Sequence, residues 1–198
     1  MTEVLLFHHA QGQTPGFLAL ADELRAAGHV VHAPDLYEGR TFEELDAGVA
    51  YCEELGFPEI LRRGGAAAEG LPSGIVYAGF SLGTVLAQML AQTRPGARGA
   101  LLFHGCLPTA EFEVPWPASV PLQVHTMDRD RWVELDVARA LIAEVGDAEL
   151  FLYPGEGHLF ADASLGDYDA RASRLLMQRA LGFLERVAER GSGHPGTS

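Results

Sequence analysis

Gly79-Phe80-Ser81-Leu82-Gly83 is a G-x-S-x-G run set between an apolar stretch, Ile75-Val76-Tyr77-Ala78, and a helical run from Thr84 to Leu90. A serine held on a sharp strand-to-helix turn can present its hydroxyl as a nucleophile, and the flanking glycines remove Cβ atoms that would collide there. The helix that starts at the turn aims backbone N–H groups and the positive end of its dipole at the place where an oxyanion forms. The run equally fits a plain glycine-rich turn with an N-cap serine, so its meaning depends on partners elsewhere in the chain.

A serine hydroxyl becomes a strong nucleophile only when a base takes its proton. At an elbow of this kind the partners follow in the order Ser, Asp, His. Two later loops supply them. Pro121-Leu122-Gln123-Val124-His125 reads as a strand leading into Thr126-Met127-Asp128-Arg129-Asp130-Arg131, and Leu150-Phe151-Leu152 leads into Tyr153-Pro154-Gly155-Glu156-Gly157-His158. The expected roles are Ser81 as nucleophile, His158 as general base and Asp130 as the acid that orients it. Asp130 is preferred because it immediately precedes a helical run, and Asp128 is the alternative. For the oxyanion, the expected donors are the N–H of Leu82 and an N–H from the loop His8-His9-Ala10-Gln11-Gly12, with Ala10 first and Gln11 second. Phe112 and Trp116, in a short Pro-rich segment, are candidates for an apolar acyl pocket, with surface packing as the competing reading. Gln11 and Arg40 complete the expected substrate contacts, although Arg40, like Arg129 and Arg131, also fits an ion-paired surface charge.

Adjacent His8 and His9 invite a metal, but neighbours on an extended segment point to opposite sides. His104 and His125 follow no zinc spacing either, so no metal is expected. The chain has 198 residues with Lys+Arg 14 against Asp+Glu 27, a net charge of -13. That balance disfavours partners held by phosphate neutralisation, nucleic acid and anionic membrane alike. The opening MTEVLLFHHAQG has no basic segment before its short apolar run, which fits neither a signal peptide nor a spanning helix and suggests the cytoplasm. Cys52 and Cys106 can form at most one bridge and read as small buried hydrophobes.

Positioning these groups takes a scaffold, and short apolar runs alternating with longer helical segments specify a parallel sheet covered on both faces. Strands are expected at 4–8, 29–33, 74–79, 99–104, 122–126 and 149–153, each nearly uninterrupted in apolar character. Thr14 caps a helix with Pro15 first and Gly28 as its stop, and Thr41 with Glu44 forms a capping box for a helix reaching about Leu55. RRGGAAAEGLPSG reads as a frayed helix end and a loop. Helices are expected from Ser81 to about Arg94, at about 132–145 and at about 168–190. The fold class is therefore α/β, of α/β-hydrolase type, with a mostly parallel six-stranded sheet, a minimal lid, one domain over 1–190 and a disordered tail at 191–198.

The chain resembles the dienelactone hydrolases over nearly its whole length. The resemblance is carried by the opening strand and loop with Gly12, by Ala26-Ala27-Gly28-His29-Val30-Val31-His32-Ala33-Pro34-Asp35-Leu36-Tyr37, by the elbow, by Asp130-Arg131-Trp132-Val133 and by Gly157-His158-Leu159-Phe160. It implies ester or lactone hydrolysis through an acyl-enzyme without metal or organic cofactor, with the nucleophile at Ser81, the acid at Asp130 and the histidine at His158. Members that open dienelactone carry cysteine at the elbow and an acidic residue in the first loop, where this chain has Ser81 and His9. Thioesterase or peptidase activity, and a catalytically silent binding role, are the alternatives on the same fold.

Overall fold

A computed structural model describes residues 1–192. Its sheet contains β1 (Glu3–Phe7), β2 (Val30–His32), β3 (Val76–Phe80), β4 (Gly99–Phe103), β5 (Leu122–Met127) and β6 (Ala148–Tyr153). The strand order is β2-β1-β3-β4-β5-β6, and every neighbouring pair is parallel. β3, β4 and β5 are buried along their whole length, because helices cover both faces.

On one face α1 (Pro15–Ala26) and α6 (Ala170–Ser192) pack Phe17, Leu24, Leu176 and Phe183 against Val4, Leu6, Val76 and Leu101. On the other, α3 (Phe57–Glu69), α4 (Leu82–Thr93) and α5 (Leu135–Glu144) set Ile60, Leu86, Leu90 and Leu141 against Leu5, Phe7, Tyr77, Leu102 and Val124. α2 (Leu45–Leu55) adds the partly buried Tyr51, Cys52 and Leu55 to that second face. The alternation of in-facing and out-facing residues along each strand thus feeds two cores from one sheet.

Three expected elements differ. α2 starts at Leu45 with Glu44 as N-cap and no side-chain cap, so the Thr41 capping box does not form. Residues 42 and 43 are instead pinned to the first loop: Phe42 N–H donates to the Gln11 carbonyl, and Gln11 Nε2 donates to the carbonyls of Phe42 and Glu43. The expected loop at RRGGAAAEG is a full helix, α3, separated from α2 by Gly56 at φ 82°. Gly64 inside it is buried against Leu86 of α4, where a side chain would not fit, so tertiary packing outweighs the glycine's poor helix propensity. α5 begins at Leu135 rather than at 132, because Asp130 Oδ1 accepts the Trp132 N–H and holds residues 130–133 in a turn. Residues 191 and 192, expected in the tail, continue α6, and 193–198 lie outside the described residues.

The chain runs from β1 out to β2 and then returns to β3 on β1's other side. The loops after β1 and β3 therefore diverge and leave a crevice at the carboxyl edge of the sheet, the usual place for a site in an open α/β sheet.

Burial extends to polar groups at that edge. His8, His104 and His125 are nearly inaccessible. Desolvation lowers His8 to about 4 and His125 to about 3, and holds His104 well below its ordinary value. In the unfolded chain each returns to about 6.5. The unfolded state therefore binds more protons below that pH, and the stability present above it is lost as the pH falls toward about 4. The urea midpoint should drop steeply between about pH 6.5 and about pH 4. An unchanged midpoint over that range would show that these rings charge freely in the folded state.

Candidate active site

Ser81 sits between β3 and α4 at φ 48° and ψ -111°, a left-handed-side conformation that costs a non-glycine residue on the order of 1–3 kcal/mol. Three hydrogen bonds hold it. Its N–H donates to the Phe103 carbonyl at 2.8 Å, and its carbonyl accepts from Thr84 N–H at 2.8 Å and from Thr84 Oγ1 at 2.6 Å. A Cβ on Gly79 would strike the Gly83 carbonyl, and one on Gly83 would strike the carbonyls of Phe7 and His8. The two glycines thus let the first turn of α4 settle onto the ends of β3 and β1.

Ser81 Oγ lies 2.8 Å from His158 Nε2, and His158 Nδ1 lies 2.7 Å from Asp130 Oδ2. His158 and Asp130 are buried, whereas Ser81 is half-buried and reachable. Asp128 points elsewhere: its Oδ1 accepts the Gly155 N–H at 3.0 Å and so ties the loop after β5 to the loop after β6. The structure therefore brings Asp130, not Asp128, to the histidine. Asp167 Oδ2 accepts the His158 N–H at 2.9 Å and fixes the backbone from the other side. The Trp132 ring, 45% exposed, lies 5.9 Å from the His158 ring and shields it.

The loop after β1 completes the edge. Among the described residues no acceptor faces the N–H of Ala10 or of Leu82. The Gln11 N–H, by contrast, donates to His9 Nδ1 at 3.2 Å, which removes it as an oxyanion donor. Gly48 of α2 abuts the Ala10 carbonyl so closely that a Cβ would overlap it, and α2 thereby backs this loop.

A cleft of about 320 Å³ is lined by Gln11, Glu43, Glu44, Asp46, Trp132 and Asp167, with Arg131 and Leu159 among its other walls; it reaches the chain neighbours of Asp130 and His158, while Ser81, Asp130 and His158 themselves are outside its lining. Of the four expected substrate contacts Gln11 lines this cleft and the other three do not. Trp116 is buried in the core, its Nε1 donating to the Val120 carbonyl at 2.7 Å, because an indole N–H taken out of water needs an acceptor. Phe112, half-buried on a 3₁₀ turn (Thr109–Phe112), is outside the lining of the cleft, as is Arg40, whose guanidinium lies over the Tyr51 ring at 5.0 Å. Trp132 and Arg131 line the cleft instead. In the sequence Trp132 stands out as the helical residue after the candidate acids and as part of the stretch that carries the family resemblance, whereas nothing in its neighbourhood signals Asp167.

The remaining histidines have separate surroundings. His8 Nε2 accepts the Leu36 N–H, His125 meets Tyr153 and Gln123, and His104 is edge-on to Phe160 with neither ring nitrogen hydrogen-bonded. Among the described residues no group of three or more His, Cys, Asp or Glu side chains is arranged to hold a metal ion, and Cys52 and Cys106 are unbridged. Among the same residues no helix is long and apolar enough to cross a membrane.

The fold recurs in known proteins. A dienelactone hydrolase-like promiscuous phosphotriesterase from metagenomic libraries superposes with a TM-score of 0.75 at 20% identity, over 94% of this chain and 87% of that one. Esterase 2 of Thermogutta terrifontis, in a structure phosphorylated by paraoxon, gives 0.63 at 19% identity, over 94% and 82%. A cold-adapted esterase from an Arctic intertidal metagenomic library gives 0.61 at 21% identity, over 90% and 82%. No curated protein matches the chain in sequence. The family model of the dienelactone hydrolases, however, matches residues 1–188. The chain belongs to the dienelactone hydrolase family, and with it to the hydrolases that act on ester bonds.

Proposed function

We propose that the chain cleaves carboxylic esters or lactones through an acyl-enzyme on Ser81. The observation that carries this reading is the continuous hydrogen-bonded line from Ser81 Oγ through His158 to Asp130 Oδ2. Asp130 accepts the Nδ1 proton, which leaves Nε2 as a lone pair directed at the serine hydroxyl. Nε2 takes that proton as Oγ attacks the ester carbonyl, and the N–H groups of Leu82 and Ala10 stabilise the oxyanion. The imidazolium returns the proton to the leaving alkoxide. Water then enters, gives a proton to Nε2 and attacks the acyl-enzyme, and as the second tetrahedral adduct collapses Nε2 passes that proton to the departing Ser81 Oγ, freeing the acid and the serine.

Ser81→Ala and His158→Ala should each reduce ester turnover by several orders of magnitude, because members of such a unit are not additive. Esterase 2 in its phosphorylated form suggests the companion assay, labelling by a fluorophosphonate, which should disappear in Ser81→Ala. Turnover at the wild-type rate in either variant would end this mechanism. Asp130→Asn should cost about 10⁴ in kcat by disturbing the tautomer. Asp128→Asn should cost little, since a carboxamide oxygen still accepts the Gly155 N–H.

Substrate charge follows from the walls of the cleft. Four carboxylates, Glu43, Glu44, Asp46 and Asp167, line the cleft together with Arg131 in a chain whose net charge is -13. A carboxylate-bearing ester approaches against that field, and salt weakens the penalty. In a matched pair of short esters differing only by a carboxylate, the neutral one should have the higher kcat/KM, with the gap narrowing as salt is raised. Preference for the anion, abolished by Arg131→Ala, would mean that one guanidinium outweighs the surrounding acids.

A further inference from the structure

His9 and Asp162 form a second buried histidine–carboxylate pair, 2.9 Å from Nε2 to Oδ2, with both side chains almost fully inaccessible. Asp162 is saturated with donors. Oδ2 also accepts from Thr14 Oγ1, and Oδ1 accepts from Ser164 N–H at 2.9 Å and Ser164 Oγ at 2.6 Å. Burial alone would raise its carboxyl, but the donors of His9, Ser164 and Thr14 outweigh that and hold it at about 2. The carboxylate is therefore an acceptor only, and His9 Nε2 must carry the proton. That leaves His9 Nδ1 as a lone pair, and it takes the Gln11 N–H. The Gly12 N–H meanwhile donates to the His9 carbonyl at 3.0 Å. The turn 9–12 is thus closed by His9 at both its side chain and its backbone, around an Ala10 amide that has no acceptor among the described residues.

Resting on the acyl-enzyme reading above, we propose that His9 is a positioning residue of the oxyanion hole. Locked in its Nε2–H tautomer by Asp162, it occupies the Gln11 N–H and so keeps the turn in the form that offers the Ala10 N–H to the oxyanion. The pair joins the loop after β1 to the segment that follows His158, so one hydrogen-bonded hub sets both the donor and the base. Nothing in the proposed chemistry requires His9 to touch the substrate, and its effect belongs to the transition state rather than to binding.

The experiment compares three variants with wild type on one neutral ester, with fluorophosphonate labelling of Ser81 and thermal unfolding in parallel. His9→Phe keeps a planar ring but removes both nitrogens. It should lower kcat by about 10²–10³, the cost of an oxyanion donor, with KM changed by less than about threefold. In His9→Asn the carboxamide oxygen can accept the N–H two residues on, so kcat should recover to within about tenfold of wild type although Asp162 is out of reach. Thr14→Val removes another Asp162 donor without touching the Gln11 N–H, and should lower the melting temperature while costing at least about tenfold less in kcat than His9→Phe. Parallel losses of stability and kcat in Thr14→Val and both His9 variants would reduce the pair to scaffolding and overturn the proposal. If His9→Phe does not fold, His9→Asn decides alone: kcat within about tenfold supports the proposal, and a loss of about 10² or more overturns it. A wild-type protein that neither labels nor turns over ester withdraws the acyl-enzyme reading together with this one. A labelled, active wild type beside a fully active His9→Phe overturns this one only.

Discussion

Ser81 can hold φ 48° only because the structure around it leaves no alternative. Its N–H reaches the carbonyl of Phe103 on β4, its carbonyl is gripped twice by Thr84 on α4, and the glycines at 79 and 83 allow backbone to meet backbone where any side chain would intervene. Local strain of this size persists only when surrounding contacts over-determine it. The requirement propagates outward. α4 must lie against the ends of both β1 and β3, which needs those strands adjacent and parallel. The reversal of strand order at β1 then opens the crevice where the serine emerges.

The loops that meet the serine carry little regular structure, and their backbone donors need acceptors. Aspartates supply several of them. Asp128 accepts from Gly155, Asp130 from Trp132, Asp167 from His158 and Asp162 from Ser164. Much of the acidity at this edge is therefore structural, since a carboxylate has two oxygens and can join two segments distant in sequence. Asp130 shows the economy of the arrangement: one oxygen shapes the turn before α5 and the other meets His158. Beneath them aromatic rings of Phe80, His104, Phe160 and Tyr153 touch in succession and keep water from the underside of the histidine.

What could be read from the sequence was whatever local pattern specifies. The buried strands announce themselves as apolar runs, Thr14 with Pro15 marks the start of α1, and the elbow is contained in five residues. The approach of Ser81, Asp130 and His158 follows from placing their loops at the carboxyl ends of parallel strands. The misses are all tertiary. α3 is helical across two glycines because Leu86 fills the space beside Gly64, and Thr41 fails to cap α2 because Gln11 holds residues 42 and 43. Trp116 was assigned to a pocket on composition, while its indole N–H is committed to Val120. The pairing of His9 with Asp162 spans 153 positions, and no local pattern in a single sequence encodes a contact of that range.

These origins separate reaction from selectivity. The elbow and its partners arise from strand ends that the sheet itself places, so their geometry changes only if the fold does. The cleft is walled instead by residues 43–46, at the approach to α2, and by 165–167, before α6, and these segments are not strands of the sheet. Surface segments tolerate substitution far better than the elements they connect. Within a shared scaffold, the charge and shape of these two segments can change while the line from Ser81 to Asp130 stays as it is. Three wall residues are the exception and couple the cleft to the chemistry: Asp167 accepts the His158 N–H, Trp132 donates its N–H to Asp130, and Gln11, in the loop after β1, holds residues 42 and 43 with its side chain while its backbone N–H is bound by His9. Changes at these residues, or at 42 and 43 through Gln11, have a direct physical route to the chemistry.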